Sequence, residues 1–167
     1  MRSVIQRVTR ASVTVDGKIV AEIGPGLLVL VGVANGDGPA DIEYTASKIR
    51  DLRIFGDEHG RMNRSVIDVA GSVLCVSQFT LYADVARGNR PGFTGAAPPD
   101  EGRVLVDAVA DQLRRVGEPD DVVLDGHGEA VAVHGVRRGV GVGPGGQREV
   151  LVEEGILSLE LTLTTPD

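Results

Sequence analysis

The sequence lacks the residues on which several common site types depend. Cys75 is the only cysteine among 167 residues, which excludes an intramolecular disulfide and any zinc site built from several cysteines. There is no tryptophan, and aromatic residues make up 3% of the chain. The longest apolar run, residues 26–34, is about half of a membrane span, and the first residues lack the apolar core of a signal peptide. We therefore expect a soluble, cytoplasmic protein that makes no use of a membrane.

Positive charge is also scarce. Seventeen Lys and Arg stand against 24 Asp and Glu, so the formal net charge is −7. Proteins that bind nucleic acid by neutralising many phosphates are normally basic, and this balance argues against that class. The acidity is concentrated late in the chain, because residues 1–90 carry 11 basic and 10 acidic groups and residues 91–167 carry 6 and 14.

No motif for a metal, a nucleotide cofactor or a hydrolase triad stands in a convincing context. The three histidines lie in glycine-rich or charged stretches, without the spacing of metal ligands. There is no Gly-x-Ser-x-Gly sequence. Residues 141–146 match Gly-x-Gly-x-x-Gly, but the stretch after them is not patterned as a helix. Cys75 lies in an apolar run and is predicted to be a buried, unreactive thiol. We predict no metal and no cofactor.

Length and periodicity predict one α+β domain over residues 1–167. Three strands are expected in the first 33 residues, with a hairpin turn at Asp16-Gly17. The apolar runs at 27–33 and 73–81 are typical of buried strands. Nine glycines in residues 117–146 predict a long loop with one or two weak strands, so residues 119–149 form an atypical segment. The first predicted strand covers 4–8 and continues after residues 10–11 at 13–15, and the others cover 18–23, 27–33, 52–55, 73–81, 150–152 and 156–164.

Two amphipathic helices are expected. The first begins at Asp37-Gly38-Pro39, where proline suits the first turn, and the second spans about 100–116. The predicted apolar faces are Ile42, Thr45, Ala46, Ile49 and Leu52 on the first helix, and Val104, Val106, Val109, Ala110 and Leu113 on the second.

The strand at 73–81 becomes polar at its far end, in Ser77-Gln78-Phe79-Thr80. Buried polar groups need hydrogen-bond partners, so these residues are candidates for a site. Alternatively, Ser77 and Thr80 cap backbone groups at an ordinary strand end. Phe79 offers a stacking face for a base of single-stranded RNA. A small basic loop follows, in which Arg87 and Arg90 either bind one or two phosphates or belong to a solvated turn.

The sequence resembles the D-aminoacyl-tRNA deacylases, also called D-tyrosyl-tRNA deacylases, over residues 1 to about 118. The motifs that carry the resemblance are residues 1–8 (MRSVIQRV), 24–33 (GPGLLVLVGV), 52–55 (LRIF), 62–63 (MN), 77–82 (SQFTLY), 88–91 (GNRP) and 96–99 (AAPP). The resemblance implies a barrel-like mixed or antiparallel sheet with two main helices packed outside it. It also implies a homodimer whose active site lies at the interface and accepts the 3′ end of an aminoacyl-tRNA.

The reaction implied is hydrolysis of the ester that joins a D-amino acid, and also glycine, to the tRNA. By the same resemblance, Ser77, Gln78, Phe79 and Thr80 form the catalytic pocket, and main-chain N–H groups near Phe79 and Thr80 hold the developing oxyanion. The ribose hydroxyl assists the attacking water, so an orienting role for Thr80 is expected in preference to a nucleophilic one. The resemblance also places Arg7 near the family's Gly–Pro loop, which enters the pocket of the partner subunit.

That loop departs from the family. Its members close with Asn-Asp-Gly-Pro-Val-Thr, whose cis Gly–Pro peptide excludes L-amino acids, whereas Gly155 and Ile156 occupy this place here. A cis peptide before a residue other than proline costs about 2.5–4 kcal/mol, so a trans peptide is expected. The alternative to a normal deacylase is therefore an impaired or chirality-relaxed relative that binds the tRNA 3′ end or only dimerises. An unrelated small-molecule esterase would need a nucleophile that the sequence does not offer.

Overall fold

The computed structural model describes residues 1–15, 18–114, 122–124, 130–133 and 160–164. These residues form ten strands, two α-helices and one 3₁₀ helix, Phe79–Tyr82. The strands are β1 (Arg2–Val8), β2 (Arg10–Val15), β3 (Lys18–Ile23), β4 (Gly26–Gly32), β5 (Phe55–Gly56), β6 (Met62–Arg64), β7 (Ser72–Ser77), β8 (Val122–Leu124), β9 (Ala130–Val133) and β10 (Glu160–Thr164). The helices are α1 (Pro39–Asp51) and α2 (Pro99–Arg114).

The main sheet has five strands in the order β1-β4-β7-β9-β8. It is mixed, because β4 and β7 are parallel while the other neighbours are antiparallel. Parallel neighbours need a crossover connection, and α1 lies in the one between β4 and β7. An antiparallel sheet β10-β2-β3 and a two-stranded sheet β5-β6 complete the described strands. The α+β class with two helices and a mixed sheet is confirmed, but the described strands form three separate sheets and no closed barrel.

The two neighbouring strands β4 and β7 of the main sheet are buried on both faces. On β4, Leu27, Val29 and Val31 pack in one cluster with α1 and α2, and Leu28 packs in a second cluster with β2 and β3. Strand β7 alternates in the same way, with Cys75 on the helix side and Leu74 on the other. Burial on both faces explains the nearly continuous apolar runs of these two strands.

Both helices begin and pack close to the prediction. Pro39 is the first residue of α1, and the Asp41 carboxylate accepts a hydrogen bond from the Gly38 amide at 3.0 Å. Two predicted core positions are wrong. Leu52 is 36% exposed because α1 ends at Asp51, and Val104 is 65% exposed because it lies about 200° around the helix from the buried Val106. The remaining predicted positions are buried, namely Ile42, Thr45, Ala46, Ile49, Val106, Val109, Ala110 and Leu113.

The two stretches predicted at 4–8 and 13–15 lie in two strands, β1 and β2, that belong to different sheets. β1 pairs with β4 and β2 pairs with β3, and the chain bends at residue 9 between them. The alternation of side chains predicts strand conformation but not which sheet a strand joins. The predicted strand at 52–55 is also wrong in its bounds, because a turn in which the Ile54 amide donates to the Leu52 carbonyl at 3.1 Å precedes β5.

The late part of the chain is described only in its strands. β2 and β3 pair antiparallel, as the predicted hairpin requires, and its turn residues Asp16 and Gly17 lie outside the described residues. β8 and β9 fall within segment 119–149, where one or two strands were expected, and β10 falls within the predicted 156–164. The predicted strand 150–152 lies outside the described residues. No helix in the described ranges is long and apolar enough to cross a membrane.

Candidate active site

The Ser77–Thr80 segment lies where β7 leaves the main sheet. Ser77 is the last residue of β7, paired with Val31 of β4. One further ladder contact follows, in which the Gln78 amide donates to the Val31 carbonyl at 2.8 Å. The chain then turns into the 3₁₀ helix, so the predicted strand 73–81 ends four residues early. Ser77 therefore ends the buried strand, and Gln78, Phe79 and Thr80 lie in the turn that follows it.

Gly32, at the end of β4, makes room for this turn. A Cβ atom at position 32 would lie 3.0 Å from the Gln78 carbonyl oxygen, 3.0 Å from Leu81 Cβ and 3.2 Å from Tyr82 Cδ2. The 3₁₀ helix thus occupies the space that a larger residue would fill. The absence of a side chain at position 32 therefore allows the turn to pack against the end of β4.

The Gln78 and Thr80 side chains contact each other across this turn. Gln78 Nε2 donates a hydrogen bond to Thr80 Oγ1, which leaves the Thr80 hydroxyl hydrogen available to another acceptor. Within the described residues, the main-chain N–H groups of Phe79 and Thr80 have no partner, as expected for the first amides of a helix. No side chain caps this 3₁₀ helix, so capping by Ser77 or Thr80 is not observed. The arrangement offers two amide donors and one hydroxyl donor.

Phe79 presents an aromatic surface beside these donors. Its side chain is 51% exposed. The ring packs against Phe93 with the centroids 5.0 Å apart and the planes at 67°, an edge-to-face contact that fixes the ring in place. Phe93 was not predicted from the sequence, because its contact with Phe79 depends on how the intervening loop returns.

That loop carries the two predicted arginines. Asp84 and Gly92 exchange backbone hydrogen bonds of 2.8 and 2.9 Å and so close the loop at its base. Gly88 has a φ of +93°, a conformation that glycine adopts without strain. Arg87 and Arg90 are exposed, and neither guanidinium forms an ion pair with another described residue. Both charges are therefore available to a ligand.

Arg7 is not brought to this segment within one chain. It pairs with Leu27 of β4, which in turn pairs with Val73 of β7. Val73 precedes Ser77 by four residues, which corresponds to about 13 Å along the strand. The other two predicted binding residues, Gly155 and Ile156, lie outside the described residues.

Arg2 contacts the segment where Arg7 does not. The antiparallel register places it opposite Gly32. Its Nη1 donates to the Leu81 carbonyl at 2.9 Å, and its guanidinium carbon lies 4.6 Å from the centroid of the Tyr82 ring. Arg2 was not predicted as a site residue from the sequence, although the pairing of β1 with the end of β4 places it next to this segment.

The remaining titratable candidates do not join the segment. Cys75 is fully buried, and desolvation raises the pKa of its thiol to about 12, although the charge of Arg114 acts in the opposite direction. The prediction of a buried, unreactive thiol is confirmed. His59 is exposed, and His127 and His134 lie outside the described residues. In the described ranges, no group of three His, Cys, Asp or Glu side chains is placed to hold a metal ion.

Comparison with known proteins identifies the family. A family model described as D-Tyr-tRNA(Tyr) deacylase matches residues 4–140. The chain belongs to this deacylase family. D-aminoacyl-tRNA deacylases from Heliobacterium modesticaldum and Thermomicrobium roseum are 63% and 60% identical over 117 and 119 residues, which is 70% and 71% of this chain and 78% and 77% of theirs. The relative from Deinococcus deserti is 54% identical over 128 residues, or 76% of this chain and 88% of that one.

Two solved structures share the fold of this chain. A c-Myc DNA unwinding element binding protein superposes with a TM-score of 0.68 at 35% identity, covering 80% of this chain and 98% of that chain. A probable eukaryotic D-amino acid tRNA deacylase shares the fold, with a TM-score of 0.58 at 20% identity over 68% of this chain and 67% of its own. The family match to residue 140 extends past the limit of about 118 expected from the motifs.

Proposed function

We propose that this chain hydrolyses the ester bond of D-aminoacyl-tRNA, and of glycyl-tRNA, and releases free tRNA and the amino acid. Membership of the deacylase family supports the reaction, as does 54–63% identity to relatives named D-aminoacyl-tRNA deacylase. The observation that carries the proposal is the pair of free amides at Phe79 and Thr80, next to the hydroxyl that Gln78 holds.

In the proposed reaction these groups stabilise charge. A water oxygen adds to the ester carbonyl carbon, and the carbonyl oxygen becomes negative. The amides of Phe79 and Thr80 donate hydrogen bonds to that oxygen, a contribution of about 10²–10³ in rate per donor in other hydrolases. The bond from the carbonyl carbon to the ribose oxygen then breaks, the ribose oxygen takes one proton of the attacking water, the other proton passes to solvent, and the amino acid leaves as a carboxylate.

Thr80 is assigned an orienting role. Its oxygen already accepts the Gln78 amide hydrogen. Among the described residues, no histidine or carboxylate contacts this hydroxyl to remove its proton, as a nucleophilic threonine would require. The neighbouring ribose hydroxyl of the substrate assists the attacking water, and Thr80 orients that water. Ser77 adds a polar side chain to the same pocket. No cofactor enters this scheme.

The proposed partner is the 3′ end of an aminoacyl-tRNA. The half-exposed Phe79 ring offers a stacking surface for a terminal base, and such stacking contributes about 1–3 kcal/mol per base. Arg87 and Arg90 would contact one or two phosphates nearby. These few local cations are compatible with a net charge of −7, because binding one strand end does not require a basic surface.

We further propose a cytoplasmic homodimer with the site at its interface. Arg7 of β1 is half-buried. In its own chain it is level with Val73 of β7, about 13 Å along that strand from Ser77. A second copy would bring its own Arg7, Gly155 and Ile156 to this segment, as the family resemblance implies. Light scattering on the purified chain tests the proposal, since a mass of 17.5 kDa at micromolar concentration would contradict it.

The second candidate function is a deacylase without normal chiral selection. Ile156 follows Gly155 where the family has proline, and a trans peptide there would direct its carbonyls elsewhere. On this proposal the chain releases amino acid from D- and L-tyrosyl-tRNA at similar rates. A strong preference for the D substrate would contradict it, and a chain that binds tRNA without releasing either amino acid would be an impaired relative.

One assay tests the main proposal. Purified wild type and the Thr80→Val and Cys75→Ala variants are incubated with D-tyrosyl-, L-tyrosyl- and glycyl-tRNA, and released amino acid is measured. We expect Thr80→Val to lose about 10–100-fold in kcat, as for loss of an orienting group, and Cys75→Ala to match wild type. A loss of about 10⁴-fold or more in Thr80→Val would favour a nucleophile, and no release by the wild type would refute the function.

A further inference from the structure

The first residue of β1 contacts the far end of the 3₁₀ helix Phe79–Tyr82. Arg2 Nη1 donates to the Leu81 carbonyl at 2.9 Å, and the guanidinium lies 4.6 Å from the Tyr82 ring centroid. The two contacts use different properties of one side chain, a planar donor and a cation over an aromatic face. A positive charge is also favourable near the last carbonyls of a helix. Arg2 therefore holds this helix from its carboxyl end.

The backbone that carries Arg2 is itself firmly fixed. The preceding residue, Met1, is 3% exposed, and its amino group lies 2.7 Å from the Asp37 carboxylate. Asp37 also accepts a hydrogen bond from the Ala34 amide at 2.7 Å. On the other side, β1 pairs with β4 from Arg2 onward. Arg2 thus extends from a rigid support to the helix.

The helix is restrained at its amino end by other groups. The Gln78 amide donates to the Val31 carbonyl at 2.8 Å, and Gly32 allows the helix to lie against β4. These contacts limit how closely the helix approaches the sheet. The Arg2 contacts at Leu81 and Tyr82 oppose rotation of the helix about its attachment at Gln78. Rotation would redirect the Phe79 and Thr80 amides.

We infer that Arg2 is a positioning residue for deacylation, which fixes the 3₁₀ helix and with it the orientation of Phe79 and Thr80. The inference rests on the proposed function, since the groups it positions are those assigned to the ester carbonyl. Arg2 touches no reacting atom in this assignment. Its loss is therefore expected to lower kcat and to leave substrate binding unchanged.

Kinetics of four single variants and one double variant test the inference. Arg2→Ala and Tyr82→Leu are each expected to lower kcat by about 10-fold, because misplacement of catalytic groups by less than 1 Å has effects of this size. KM stays within about twofold, and the double variant is no worse than Arg2→Ala, because Arg2→Ala already removes the guanidinium–ring contact that Tyr82→Leu removes. Arg2→Lys keeps the charge without the planar donor and recovers kcat only in part. Arg10→Ala, whose exposed side chain pairs with Glu22 on another sheet, is the matched control and keeps wild-type kcat.

The competing explanation is that Arg2 binds a phosphate of the RNA. In that case Arg2→Ala raises KM without changing kcat, and Arg2→Lys restores KM, which would overturn the inference. Unchanged kinetics in Arg2→Ala would also overturn it.

Amide hydrogen exchange tests the same inference without any activity. The amides of Leu81 and Ala83 are hydrogen-bonded to Gln78 and Thr80. Both are expected to exchange about 10-fold faster in Arg2→Ala and at the wild-type rate in Arg10→Ala, because the helix opens locally once its anchor is lost. If the wild-type chain deacylates nothing, the proposed function fails, and this measurement still decides the role of Arg2. Equal exchange in the two variants would refute that role.

Discussion

The chemistry of single side chains follows from their surroundings more than from their type. Cys75 illustrates this, because a thiol buried in the core between β7 and the helices has no water to stabilise its anion. Its pKa is raised to about 12 by that desolvation. The nucleophilic potential of a cysteine is therefore absent from this one.

Cys75 gives a prediction about labelling and pH. In the native protein at pH 8 we expect no reaction with a thiol reagent, and full reaction after unfolding in urea. Because burial raises the folded pKa above the usual thiol value of 9.0, the thiol is protonated in both states below that pH. Above it, the unfolded thiol ionises while the folded thiol stays protonated. The free energy of unfolding should therefore fall between pH 9 and about 12, and it should fall less in Cys75→Ala. Rapid native labelling at pH 8 would contradict this.

Asp37 gives a second prediction at the residue scale. Its carboxylate accepts from the Met1 amino group and the Ala34 amide, and the side chains of Met1 and Asp37 are 1% and 8% exposed. Removing one partner leaves a buried charge without compensation, so Asp37→Ala should lower the free energy of unfolding by about 3 kcal/mol. Glu22→Ala breaks the exposed pair with Arg10 and should cost less than about 1 kcal/mol. Urea denaturation measures both, and equal losses would contradict the assignment.

The candidate site could be predicted only in part. Ser77-Gln78-Phe79-Thr80 was found from the sequence because polar residues directly follow a buried apolar run, where each needs a partner. Phe93 and Arg2 were not found. Their contacts depend on a closed loop in one case and on strand pairing in the other, and neither leaves a local pattern around those residues.

At the scale of elements, the close approach of β4 and β7 requires a glycine at position 26. Gly26 begins β4 beside Ser72 of β7, and a Cβ at position 26 would lie 1.9 Å from the Ser72 carbonyl oxygen. That oxygen belongs to the backbone and cannot move without opening the parallel pair. Gly24, two residues earlier, has no atom within 4 Å of such a Cβ.

These two glycines form a matched test. Gly26→Ala should destabilise the fold by about 3 kcal/mol or more, at the upper end of overpacking effects, because β4 and β7 must separate. Gly24→Ala should change stability by less than about 0.5 kcal/mol. The shift in the urea midpoint at unchanged slope measures each effect. Similar midpoints for the two variants would show that the pair of strands accommodates the extra methyl group.

Gly32 links an element to the site and predicts a different outcome. A Cβ there meets Gln78 and Leu81 at 3.0 Å, so the 3₁₀ helix must shift by a few tenths of an ångström. We expect Gly32→Ala to lower kcat by about 10-fold through that shift, while the free energy of unfolding changes by only about 1 kcal/mol. Deacylation kinetics and urea denaturation of the same sample separate the two effects. A loss of stability without a loss of kcat would contradict the placement of the site.

The elements predicted best were strands buried on both faces and helices with one apolar face. α1, α2, β4 and β7 were all located, because continuous apolar runs and helical spacing have few other interpretations. The change of sheet at residue 9 was not predicted, because the alternation of side chains does not indicate which sheet a strand joins. The end of β7 was missed because the turn there packs against Gly32 of β4, a contact that leaves no local pattern in the sequence of β7.

At the scale of the whole molecule, the net charge and the proposed substrate are compatible only if binding is local. A surface that is acidic overall repels a long polyanion, whereas two exposed arginines on one loop attract one or two phosphates. The charge distribution therefore predicts how activity responds to salt.

We expect only a weak salt dependence, and we expect it to depend on one loop. If Arg87 and Arg90 each neutralise one phosphate of a single strand, log(kcat/KM) should fall with log[salt] with a slope of about −1.4. The double variant Arg87→Ala/Arg90→Ala should reduce this slope towards zero and lower kcat/KM at low salt. Arg61→Ala/Arg103→Ala removes the same charge from exposed positions on β5-β6 and α2, and it should keep the wild-type slope. Equal slopes in the two double variants would mean that overall charge, and not this loop, governs the encounter with the RNA.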